Sequence, residues 1–249
     1  MMRRVVRMMA IIMSIISAIA LASMLFLEIK EQKAMLVEGE KITKYVTRVE
    51  ELVESVDVSS DTDSTLEEYQ ELKRINEDFV GWIYSKEINY PVAQYSDNSY
   101  YLNHNFSKER SKFGAIFMDY RVNSDNDVIL IHGHNTYNGS MFGSLKGYMN
   151  DRQYLDANKD YYIALDSNDY TFQHYTVGAV LVVDELHSLL NPSIVNLDEY
   201  KQILNNLLGE SPNELKQSQK LIVLSTCYGS AGTDKRLLVV LIEDSSDSK

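Results

Sequence analysis

The chain is poor in cysteine, with a single thiol, Cys227, in 249 residues. That excludes an internal disulfide framework and a cysteine-built zinc site, and it fits an exported protein that avoids unwanted pairing. Basic patches with interleaved aromatics are missing as well. Acidic residues dominate, with 36 Asp+Glu against 24 Lys+Arg and a formal net charge of −12. Arg3, Arg4 and Arg7 stand among the first 27 residues with no acid beside them, so the remainder holds 21 cations against 36 anions, or −15. Such a surface repels phosphate backbones and argues against nucleic acid as a partner. Neither repeats nor low-complexity tracts interrupt the chain. Acidic clusters such as "DSNDY" lack the ordered ligand spacing of a dedicated calcium loop and read as solvated turns.

One long apolar run is present. Met8 to Leu27 carries no charge; twenty residues at about 1.5 Å each would span roughly 30 Å, the hydrocarbon thickness of a bilayer. Arginines ahead of it and Glu28 behind it predict an inside N-terminus and an exported remainder. A cleaved signal peptide is the rival, but its apolar region is usually about 7–15 residues. Residues 1–27 therefore read as a cytoplasmic tip and a single-pass membrane anchor. Residues 28–63, charged and ending in "SVDVSSDTDST", read as a juxtamembrane helix or a disordered stalk. Residues 64–249 read as the folded, extracellular part.

That part opens with Leu66, Tyr69, Leu72, Ile75 and Phe79 at helical spacing behind Ser64 and Thr65, with Glu67 and Glu68 placed for a capping box. After Gly81 the period changes. Eight short runs follow: "WIYS", "INYPVAQ", "GAIFMDY", "DVILIHG", "DYYIAL", "YTFQHYTVGAVLVV", "KLIVLSTC" and "RLLVVLIE". With turn residues between them they predict a mostly β fold with helices, an eight-stranded closed or nearly closed barrel. One helical segment is expected near Met141–Tyr148. A longer helix is expected between the sixth and seventh strands, where Leu197, Tyr200, Leu204, Leu207 and Leu208 recur. Asn196 stands ready to cap it, Asp198 and Glu199 occupy its first turn, and Gly209 ends it.

A cysteine nucleophile acts as a thiolate and needs neighbours that stabilise negative charge or take its proton. Acyl transfer also needs a proton donor for the leaving amine and donors for the oxyanion. Cys227 ends one apolar run, His134 follows "DVILIHG", and Arg236 begins the run after the cysteine, so all three fall near strand ends at one rim. A lone cysteine at a strand end is more often inert packing; the contexts of His134 and Arg236 argue otherwise here. His132 reads as core or groove wall, and "HGH" as a metal pair lacks a third ligand. His104, His174 and His187 read as surface or structural. Arg121 is the rival arginine, with an ion pair to Asp119 or Asp125 as its plain explanation.

"GHN" at Gly133–Asn135, "LSTC" at Leu224–Cys227 and Arg236, in this order, resemble the catalytic motifs of sortases. The helix before the cysteine strand resembles the class B branch, as do "INEDFVGWI", "INYPVAQ", "DNSYYLNHNF" and "GAIFMDYR". The resemblance covers residues 65–243; Val223 departs from it, standing where the family motif usually has threonine. It implies a cell-wall cysteine transpeptidase without metal or cofactor. Cys227 would attack the threonine carbonyl of a C-terminal sorting signal on a surface protein. The thioester would then pass to an amine of the peptidoglycan peptide or its lipid-linked precursor. His134 would move the proton, and Arg236 would hold the substrate backbone and oxyanion together with the Tyr228 N–H. Ser225 and Tyr228 would touch the signal peptide.

Two alternatives stay open. One is another wall-facing cysteine peptidase, transpeptidase or amidase; the cross-linking enzymes that also carry His, Cys and Arg are disfavoured, because their "SxGC-x-R" packing puts arginine two residues after cysteine, whereas here the gap is nine. Papain-type enzymes place cysteine before histidine. The other alternative is a non-catalytic, anchored extracellular binding module.

Overall fold

The computed structural model describes residues 2–54, 62–149, 151–192, 196–209, 215, 217–229 and 233–244. Of the expected polar stretch, residues 55–61 lie outside this set. The chain divides into two compact units, 1–43 and 44–249. Helix α1 runs Met2–Glu54. In the first unit it carries Arg7–Phe26, a 20-residue stretch long and apolar enough to cross a membrane. Its large side chains, such as Met13, Ile16 and Phe26, are exposed.

In the second unit the last turns of α1 bury Tyr45 and Val49. The Tyr45 hydroxyl donates to the Glu71 carboxylate at 2.7 Å, which ties α1 to helix α2, Thr62–Ile75. The apolar spacing that suggested one helical face through Phe79 is cut short at Asn76. That side chain donates to the Tyr101 hydroxyl (2.7 Å) and the Phe106 carbonyl (2.8 Å) while accepting from the Asp78 N–H (2.9 Å). An asparagine that bonds the backbone two residues on makes a turn rather than another helical residue. Phe79 therefore opens a strand, and Ile75 is left exposed.

All eight expected strands are present: β1 Phe79–Tyr84, β2 Asn89–Ala93, β3 Ile116–Met118, β4 Val128–His132, β5 Asp160–Leu165, β6 Gln173–Asp184, β7 Leu221–Cys227 and β8 Lys235–Glu243. They close into a barrel in the order β1-β2-β3-β4-β7-β8-β6-β5. The β2–β3 and β4–β7 pairs are parallel and the others antiparallel.

The unbroken apolar runs of β4, β7 and β8 follow from burial on both faces. Ile129, Ile131, Ile222, Leu224, Leu237, Val239 and Leu241 fill the barrel. Their alternates Val128, Leu130, Leu221, Val223, Leu238 and Val240 face outward, beneath Tyr200 and Leu204 of the sixth-to-seventh-strand helix. Helix α3 is Arg152–Ala157 and this longer one, α4, is Leu197–Leu208. As expected, Asn196 caps α4 in a reciprocal box with Glu199, and Gly209 ends it at φ 79°. Leu207 stays half-exposed, outside the buried face. The segment expected near Met141–Tyr148 is a 3₁₀ helix, Gly143–Met149. Helix α3 was not expected: it buries none of its own residues and so has no apolar stripe to read, although Asp151 caps it by accepting from the Tyr154 N–H at 3.0 Å.

Candidate active site

Strand parity carries the outer face to the rim. Counting by twos from Val223 reaches Ser225 and then Cys227, and Val240 and Leu238 lead to Arg236. Cys227 is directly opposite Arg236 in the β7–β8 ladder. The Tyr228 N–H donates to the Lys235 carbonyl at 3.0 Å, which makes Tyr228–Lys235 a hydrogen-bonded pair. By alternation Cys227–Arg236 is the non-hydrogen-bonded kind, with Cα atoms about 4.5 Å apart and side chains closer together. The thiol is free and half-buried.

His134 reaches the same end of β7 from the other side. β4 runs parallel to β7 in register up to His132–Ser225, and the Gly133 N–H donates to the Ser225 carbonyl at 3.2 Å. Glycine at 133 keeps this approach close: a Cβ there would lie 2.5 Å from the Ile116 side chain and 2.8 Å from the Phe142 ring, so both would have to shift. The chain then turns, and Asn135 donates its amide to the Cys227 carbonyl at 2.9 Å. His134 Nε2 lies 2.8 Å from the Leu102 carbonyl. A carbonyl only accepts, so this contact assigns the proton to Nε2 and leaves Nδ1 as an acceptor in the neutral ring. Gly114, at φ 61°, backs the ring, where a Cβ would lie 2.4 Å from the Tyr101 carbonyl and 3.0 Å from the His134 ring.

The Arg236 guanidinium is already engaged. It donates to the carbonyls of Thr233 (2.9 Å) and Lys235 (3.0 Å) and to Glu185 Oε2 (2.9 Å).

The fold thus brings His134, Cys227 and Arg236 to one rim. Ser225 shares their face but is buried, at 3% exposure, and Tyr228 is exposed. One expectation is corrected. The Tyr228 N–H cannot receive an oxyanion in this conformation, because it closes the last rung of the ladder to Lys235. The two histidines of "HGH" have separate partners: His132 Nε2 lies 3.0 Å from Asp119 Oδ2, and His134 Nε2 faces the Leu102 carbonyl.

The rival arginine has its plain explanation. Arg121 grips Asp119 through Nε (2.8 Å), Nη2 (2.6 Å) and its own N–H (2.9 Å). Burial pushes the Asp119 carboxyl upward, but the hydrogen bonds from Arg121 and His132 overcome that and hold it well below the usual carboxylate range.

Sequence reasoning missed Asn135, Leu102 and Glu185. Asn135 stood in view inside "GHN"; the Leu102 carbonyl and Glu185 gave no local signal.

The sortase domain family model matches residues 83–242. Listeria monocytogenes sortase B is 30% identical over 179 residues, covering 70% of this chain and 72% of that protein. Staphylococcus aureus sortase B is 29% identical over 182 residues, covering 70% and 73%. Among solved structures, a Staphylococcus aureus sortase B–substrate complex aligns with a TM-score of 0.68 at 25% identity, over 86% of this chain and 98% of that one. Clostridium perfringens sortase B aligns with a TM-score of 0.61 at 28% identity, over 71% and 99%.

Proposed function

This chain belongs to the sortase family of cysteine transpeptidases, with sortase B relatives in sequence and fold, and from that premise we propose that it cuts a C-terminal sorting signal after threonine and transfers the protein, as a Cys227 thioester, to a cell-wall amine. The Cys227 thiolate attacks the threonine carbonyl carbon, and the electron pair moves to the carbonyl oxygen. Arg236, directly across the ladder, stabilises that oxyanion. Collapse breaks the C–N bond, and the leaving amine takes a proton from the His134 imidazolium. The acceptor amine then attacks the thioester, gives its proton to the neutral imidazole, and the thiolate leaves.

The Leu102 carbonyl keeps Nε2 protonated throughout, so Nδ1 is the position that exchanges the proton. Ser225 and the exposed Tyr228 contact the signal peptide.

The arrangement of the remaining chain follows. Residues 1–27 anchor the protein with the N-terminus inside, residues 28–63 form the juxtamembrane segment, and residues 64–249 are the extracellular catalytic domain. The surface proteins it serves carry the sorting motif, and the acceptor is a peptidoglycan cross-bridge or precursor amine.

What supports the roles most directly is the pair of ties on Cys227, one to Asn135 beside His134 and one in register with Arg236. The test is Cys227→Ala assayed with a capped threonine-containing sorting peptide. Turnover should vanish, and a methanethiosulfonate reagent should block the unmutated enzyme. Cleavage by Cys227→Ala at the unmodified rate would overturn the reading.

A further inference from the structure

β6 and β8 are fastened at the rim beyond the end of their ladder. The last paired residues are Asp184 and Lys235, and past them the Glu185 N–H donates to the Asp234 carbonyl at 2.6 Å. Lys235 reaches the Asp184 carboxylate. Arg236 Nη2 reaches Glu185 Oε2 at 2.9 Å. Since β8 lies between β7 and β6, Glu185 draws the guanidinium toward β6, whereas the thiol lies on β7.

We propose that Glu185 is a positioning residue that occupies the Arg236 guanidinium in the substrate-free enzyme and is displaced when the scissile carbonyl arrives. This rests on the role given to Arg236 above. The chemistry of the contact favours exchange over permanent bracing. A carboxylate oxygen offers the guanidinium the same anionic acceptor that a developing oxyanion would offer. The Glu185 side chain is 44% exposed, so on release water solvates it again and the competition is shallow. Binding then carries a fixed handicap: the apparent affinity falls by the fraction of molecules in which Arg236 is free. The handicap is absent from the steps after binding, because Glu185 has by then already left.

The experiment measures kcat and KM of Glu185→Gln with a capped, uncharged sorting peptide. KM should fall by about two- to fivefold, the size expected of a half-exposed ion pair, with kcat held within about twofold. Glu185→Asp, whose shorter carboxylate falls short of the guanidinium, should behave like the glutamine variant and melt at the wild-type temperature. Added salt should lower the wild-type KM toward that of Glu185→Gln and leave the variant flat. A drop in kcat at constant KM would mean that Glu185 holds Arg236 in its working pose, and unchanged constants would mean that the contact is idle. Either result overturns the proposal. Neither touches the transpeptidase reading, which fails only if Cys227→Ala keeps its turnover.

Discussion

Arg121 and Arg236 each place a guanidinium nitrogen under 3 Å from a carboxylate, and their side chains are equally exposed, at 25%. The difference lies in the acids. Asp119 is fully buried, whereas the Glu185 side chain is 44% exposed. Asp119 collects Arg121 through both oxygens, His132 at 3.0 Å and the Asn98 amide at 2.8 Å. Arg121 passes the tie onward to the Leu190 carbonyl (2.7 Å) and the Asn191 side chain (3.1 Å), between β6 and α4. An acid with no route to water cannot exchange its partner, and one already in water can. The first pair is therefore a brace and the second a contact that chemistry can use.

The largest effect should come from removing the buried acid. Asp119→Ala leaves Arg121 and His132 facing an empty site, at a cost of about 3–5 kcal/mol in urea-denaturation stability. A loss below about 1 kcal/mol would erase the distinction between the two pairs. Acid gives a second reading of the same site. A folded-state carboxyl held below its unfolded value of about 3.9 contributes stability that is present above that pH and lost as pH falls toward the folded value. The wild type's advantage over Asp119→Asn should therefore be constant above about pH 5 and shrink below about pH 4.

Next comes Arg236→Lys. A planar fork serves an oxyanion and a substrate backbone together, and an ammonium does not. kcat should fall by about a hundredfold, the scale of one lost oxyanion donor, while stability moves by less than about 0.5 kcal/mol. Arg121→Lys should do the reverse, lowering stability while leaving the turnover of the folded fraction near normal. If both substitutions cost stability alone, Arg236 is a brace too.

The two pairs were not equally legible in the sequence. Asp119 stands two residues from Arg121 in "MDYR", so that partnership was readable as one of two choices. Glu185 and Arg236 are 51 residues apart and meet only because β6 and β8 pair across the barrel. The strands themselves were legible because β4, β7 and β8 are buried on both faces and leave unbroken runs of Val, Ile and Leu. The α4 boundaries were legible because Asn196, Glu199 and Gly209 are local signals. The end of α2 was not, since tertiary bonds to Tyr101 and Phe106 make Asn76 a turn. The Tyr228 N–H was misread for a related reason, because whether a strand's last amide is free depends on how far its neighbour continues.

The smallest expected effect is the most discriminating, because it separates the Glu185 contact from general charge at the rim. Asp184 precedes Glu185, carries the same charge and pairs with Lys235 rather than Arg236. Both members of that pair are well exposed, at 45% and 64%. Asp184→Asn therefore removes one negative charge from the same end of β6 without loosening the Arg236 guanidinium. Its KM for an uncharged peptide should match the wild type while that of Glu185→Gln falls. Equal falls in the two variants would mean that the thiol responds to the summed field of the rim and not to one displaced ligand. In that case the rate of Cys227 alkylation at fixed pH would rise equally in both, because each lost carboxylate would favour the thiolate.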